Sequence, residues 1–164
     1  MGIVFLRNAA VAVFCLQFLT VQAFAANVSF LVMEREIQED SERSPLADLW
    51  ENAILEAFFD AGHVVSNAPS LRYRGEIPAE GIPLGARPGW EQAKGAGMDF
   101  FLLVLSDTPL REVTVRVFDI RSGQMLAEKV LASGAAWDGR EGKEEMKSLA
   151  TSMAALVGET GGGA

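Results

Sequence analysis

Residues 99–105 read DFFLLVL, and nothing polar interrupts the run after Asp99. A strand with one wet face alternates apolar and polar residues. A strand without that alternation must be covered on both faces, which places it in the middle of a sheet. Val28–Met33 (VSFLVM) has the same character and reads as a first strand. Two such strands require helices on the sheet, because only another layer can cover them.

The remaining pattern supplies those helices. Ser44-Pro45 opens one: serine accepts from free backbone N–H groups, and proline suits the first helical position. Leu46, Leu49, Trp50, Ala53, Ile54, Ala57 and Phe58 follow helical spacing, and Gly62 ends the helix. His63–Ser66 reads as a short second strand. Trp90–Gly97 reads as a short helix with Trp90, Ala93 and Ala96 or Gly97 inward. Glu112–Ile120 alternates, Arg121–Gln124 makes a turn, and Met125–Ala132 returns as the hairpin partner. Glu141–Val157 is a closing helix with Met146, Leu149, Met153 and Val157 on one face, and Gly158–Ala164 is expected to be a disordered tail. The order is βαβαβββα: an α/β fold with a single mixed sheet and helices packed against it.

Residues 1–26 read as a secretory signal peptide. Arg7 supplies the positive charge, Ala9–Phe18 the apolar core, and Ala23-Phe24-Ala25 the small residues of a cleavage site, with cleavage after Ala25 or Ala26. The alternative is an uncleaved N-terminal anchor, for which the stretch is short. Phe14 precedes Cys15, where lipid attachment needs a small residue. Removing residues 1–26 from 164 leaves 138, a single domain from 27 to 157, without its only cysteine. No disulfide framework remains, so packing alone must hold the fold. The chain carries a net charge of −8, which repels nucleic acid and anionic membrane surfaces.

Residues carrying chemistry are sparse. His63 is the only histidine, which excludes a multi-histidine metal site. It reads as a hydrogen-bonded, partly buried side chain. No G-x-S-x-G elbow, phosphate loop or H-E-x-x-H occurs. Gly95-Ala96-Gly97 precedes a strand instead of following one, so it is not a dinucleotide loop. The acidic run Glu34–Arg43 lacks the ligand spacing of a calcium loop and reads as solvated. No catalytic residue, metal or cofactor is implied. Asn67–Gly89 is different: Pro69, Pro78, Pro83 and Pro88 with four glycines make a long loop, and long loops are often functional. Arg72, Tyr73 and Arg74 within it are the candidate partner-binding residues, since tyrosine and arginine anchor protein interfaces. Trp137, before the closing helix, is a second candidate contact.

Three runs resemble a known group. They are Ala61-Gly62-His63-Val64-Val65 after the first helix, Ala93–Leu103 (AKGAGMDFFLL) entering the central strand, and Val117–Gln124 (VFDIRSGQ) at the hairpin. Together they resemble the periplasmic α/β domain shared by CsgG, LpoB and the N-terminal domain of TolB. That resemblance implies an envelope binding or assembly module; with no catalytic constellation in the sequence, the first reading is a non-catalytic module that binds another envelope protein. The alternatives are a self-assembling envelope component, joined through an exposed strand edge, and, ranked last, a hydrolase. No small-molecule substrate is indicated.

Overall fold

The structure, a computed structural model, describes residues 25–35, 45–73, 81–107, 111–132 and 139–161. Its elements are β1 (Asn27–Arg35), α1 (Pro45–Asp60), β2 (Val64–Asn67), β3 (Leu71–Tyr73), a 3₁₀ turn (Leu84–Ala86), α2 (Arg87–Gly95), β4 (Phe100–Asp107), β5 (Glu112–Asp119), β6 (Met125–Ala132) and α3 (Arg140–Gly161). The six strands form one mixed, open sheet in the order β2-β1-β4-β5-β6, with β3 also on β1. β1 runs parallel to β2, β3 and β4; β5 and β6 are antiparallel additions.

The expected α/β sheet with packed helices is present, and DFFLLVL lies at its centre as β4, buried along its whole length. Even-numbered residues of β1 and β4 (Val28, Phe30, Val32; Phe100, Leu102, Val104) join α1 and α3 in one core. Odd-numbered residues (Leu31, Met33; Phe101, Leu103, Leu105) join α2 in a second. Trp50, Ile54 and Phe58 of α1 and Met146, Met153 and Val157 of α3 seal the first face. Each large side chain buried there contributes about 1.5–3 kcal/mol.

Several boundaries differ from the sequence reading. The 67–89 segment is not one loop: it holds β3, the 3₁₀ turn and the start of α2. β2 and β3 form one interrupted edge strand. Phe30 pairs with Asn67 but Met33 with Leu71, so the edge carries one residue more than β1 across the gap, a bulge at Ala68–Ser70. α2 starts at Arg87, not Trp90, because Pro88 sits in its first turn, where a missing N–H costs nothing. Ala96 and Gly97 are exposed instead of inward. Gly89 takes the inward place, and a side chain there would meet Leu31, Ala68 and Phe101 at 3.4–3.7 Å. Glu34 and Arg35 belong to β1 and not to a solvated loop. His63 precedes β2 and is buried. α3 continues to Gly161, so Gly158–Gly161 is helical where a disordered tail was expected. The leader up to Phe24, the cap Ser44, Arg74 and Trp137 lie outside the described residues.

Two of the resembling runs have structural work. The Asp99 carboxylate accepts from the Asn27 amide (2.8 Å) and side chain (3.1 Å), while the Asp99 amide donates to the Asn27 carbonyl and its carbonyl receives Ile120. Asp99 therefore fastens the starts of β1 and β4 to the β5–β6 hairpin. The Asp119 carboxylate accepts the Ser122 amide and hydroxyl, both at 2.6 Å. Those bonds hold its pKa below the usual carboxylate value and fix the turn before Gly123, whose φ of +72° is a glycine conformation.

Candidate functional site

The chain leaves β1 through α1 on one face and returns to the sheet as β2, then leaves β3 through α2 on the other face and returns as β4. β3 and β4 flank β1 on opposite sides. β1 is thus the switch point of the sheet, and in open α/β sheets ligands bind beyond the carboxyl ends of the strands at such a point.

A row of polar side chains occupies that position. Tyr73 of β3 is in register with Arg35 of β1, and Asp107 of β4 with Glu112 of β5. Arg35 Nη1 donates to Asp107 Oδ2 at 2.6 Å, which joins the two halves. Tyr73, Arg35, Asp107 and Glu112 therefore follow one another across four strands, one step beyond the apolar row of Met33 and Leu105. Asp107 is buried, and its charge is tolerated because the Arg35 guanidinium, itself partly exposed, sits on it. Arg111, immediately before Glu112, has φ of +50°, and it is the only non-glycine with positive φ among the described residues. Strain of this kind concentrates at sites where the backbone must aim a side chain.

Tyr73 is half-buried, and its hydroxyl, shielded from solvent, has no hydrogen-bond partner among the described residues. Burial foremost, then the Asp107 carboxylate, pushes its pKa up to about 12; Arg35 works in the opposite sense. The hydroxyl therefore stays protonated at neutral pH as a neutral donor. Tyr73 is the only tyrosine in the chain, so phenolate absorbance reports this group alone. Folded protein should develop it around pH 12 and unfolded protein around pH 10. Because the folded value is the higher one, the associated stability is complete below about pH 10 and is lost as pH rises through 12. Coincident titrations of folded and unfolded chain would show that the phenol is not shielded.

Of the sequence candidates, Tyr73 stands in this row, while Arg72, in register with Glu34, falls on the opposite face of β3. Sequence reasoning missed Arg35, Asp107 and Glu112. Their signal was the charged residue that ends each apolar strand. Trp137 and Arg74 are outside the described residues. A cavity of about 480 Å³ at the opposite end of the sheet is lined by Lys94, Asp99, Asp119, Arg121 and Thr160, among others. Its carboxylates are engaged in the fold. Among the described residues, no three His, Cys, Asp or Glu side chains are grouped to hold a metal ion, and no helix is long and apolar enough to cross a membrane.

Fold and site define an open α/β sheet, covered on both faces, with a hydrogen-bonding row at its switch point. No protein-family model and no curated protein matches the chain. Solved structures similar to it include dodecameric PelC from Paraburkholderia phytofirmans (13% identity, TM-score 0.41, covering 83% of this chain and 88% of that one). TolB from Acinetobacter baumannii is similar at 14% identity and TM-score 0.45, over 84% of this chain and 29% of TolB. The LpoB C-terminal domain from Salmonella enterica is similar at 13% identity and TM-score 0.43, over 73% of this chain and 91% of that one.

Proposed function

We propose that the chain is an exported, non-catalytic envelope module that binds a protein partner at the carboxyl edge of its parallel strands. The observation that carries this reading is the row Tyr73–Arg35–Asp107–Glu112 at the switch point. Arg35 neutralises Asp107, and Tyr73 is too weak an acid to act as a nucleophile, so the row offers hydrogen bonds and shape instead of reactive groups. Arg72, with the sequence candidates Arg74 and Trp137, would widen the contact. The export reading rests on the leader-like residues 1–26, and the envelope reading on the runs resembling CsgG, LpoB and TolB.

A photo-reactive residue at position 73 of the exported chain should cross-link to one defined envelope protein. The same group at Phe59, exposed on α1 far from the row, should not. With that partner in hand, Tyr73→Ala is expected to weaken binding about 30-fold or more through loss of the ring, and Tyr73→Phe to weaken it by less than about 3-fold, because the hydroxyl is shielded from solvent. Tyr73→Phe should change stability by less than about 1 kcal/mol, since the hydroxyl has no internal partner among the described residues. Equal cross-linking from both positions, or full affinity in Tyr73→Ala, would remove the site.

The end strand β6 supports a second reading, self-assembly. Met125, Leu126 and Val130 are exposed on it, and among the described residues its only strand neighbour is β5. Sedimentation at high concentration distinguishes the readings: a strict monomer eliminates pairing through β6.

A further inference from the structure

We infer that removal of the leader cuts the Ala25–Ala26 bond, so that the mature chain begins at Ala26 and His63 receives its new α-amino group. The inference rests on reading residues 1–26 as an export leader and uses the structure to place the cut.

Ala26 is part of the folded domain. It has no exposed surface and packs in the core of the α1/α3 face. Its carbonyl accepts the Val64 amide at 2.9 Å, the bond that starts the β1–β2 pairing. Its amide donates to His63 Nδ1 at 3.2 Å. Ala25, one residue earlier, is exposed. The domain therefore begins between two adjacent alanines.

His63 is built to receive a donor at this point. Its Nε2 lies 3.1 Å from the Ala154 carbonyl, which can only accept. Nε2 must carry the proton, and Nδ1 is then the bare acceptor. The ring is buried and packs at 5.7 Å against Phe58. Hydrolysis of the Ala25–Ala26 bond adds water across it: Ala25 leaves as a carboxylate and Ala26 keeps the amine. One N–H of that amine replaces the amide donor on Nδ1, and the others face the path that Ala25 occupied, which is open to solvent.

A cut one residue later fails on both sides. It would delete a buried methyl and the carbonyl that anchors Val64, and would leave Nδ1 buried without its donor, a loss of about the desolvation cost of that group. It would also put Phe24 at the position three residues before the cut, where small residues are required; the cut after Ala25 puts Ala23 there.

The full chain, expressed in a bacterial host that exports it, should yield a product whose intact mass and N-terminal sequence start at Ala26. A product starting at Asn27, lighter by one alanine, overturns the assignment. A product retaining the leader overturns the export reading beneath it, and the two masses are unmistakable. Independently of the host, chains 26–164 and 27–164, each released with a native N-terminus from a fusion, should differ in melting midpoint by about 5 °C, the longer being the more stable. Equal midpoints refute the structural part, as does a histidine ¹⁵N spectrum of chain 26–164 showing the proton on Nδ1.

Discussion

Leu102→Asp is expected to abolish the folded state at pH 7, seen as loss of any cooperative transition in denaturant. Leu102 lies in the middle of β4 with 1% of its surface exposed. Phe30 and Val117 are its neighbours in register on β1 and β5, and α1 and α3 close over it. Removing the leucine side chain alone costs about 2–5 kcal/mol. An ionised carboxylate with no cationic partner cannot stay there, so it protonates; carrying that proton from the ordinary carboxylate pKa up to pH 7 costs a further ~4 kcal/mol. The sum, about 6–9 kcal/mol, is comparable to the 5–15 kcal/mol that holds a domain of this size together. Because the folded pKa is the raised one, the second cost vanishes below about pH 4, and structure should partly return there. Val130→Asp, on the exposed face of β6, is the matched control and should alter stability by no more than about 0.5 kcal/mol. A cooperative transition for Leu102→Asp at pH 7 close to that of the parent would mean that β4 is not the centre of the sheet.

That central position was legible because burial on both faces leaves a mark in composition. β1 and β4 are covered by helices on either side, so selection for apolar residues acts at every position and alternation disappears. α1 and α3 were legible for the complementary reason: each has one buried stripe long enough to show its period. β3 was not legible. Three residues contain no period, and Leu71–Tyr73 becomes a strand only because the carboxyl half of β1 is free to pair with it. Pro88 misled in the same region. Proline and glycine mark loops on average, yet here Pro88 opens α2 and Gly89 lets that helix approach the sheet.

The site divides along similar lines. Tyr73 stood out as an aromatic between two arginines. Its companions did not, since Arg35 and Asp107 are 72 residues apart and are ordinary charges until the parallel register sets them side by side. Arg35 also opens onto an acidic stretch whose bulk charge read as solvated. The Asp99 and Asp119 runs, in contrast, carried the family resemblance and turn out to fasten strand ends. Resemblance here tracked the needs of the backbone, while the polar row tracked the topology.

The pair Arg116–Glu128 offers a test of how the open side of that topology is held. Arg116 lies on the α2 face of β5 with 4% of its side chain exposed, and Leu103 is its neighbour on β4. Its Nε donates to Glu128 Oε2 on β6 at 2.6 Å, and its Nη1 to the Gly81 carbonyl at 3.3 Å. One buried cation thus ties together the last two strands and the segment that leads into α2. Glu128 is a third exposed and can return to water; Arg116 cannot. Glu128→Ala should therefore be the costlier change, about 2–3 kcal/mol, because it removes the carboxylate bonded to Nε while the guanidinium stays buried. Arg116→Met should cost about 1 kcal/mol, since methionine fills the space beside Leu103 and the freed carboxylate hydrates. Arg116→Met with Glu128→Leu should lie close to the parent, as apolar replacements of buried ion pairs commonly do. Denaturant unfolding of the three variants reads the order directly. Equal losses from the two single changes would show that the guanidinium reaches solvent, and would break the link between β6 and the approach to α2.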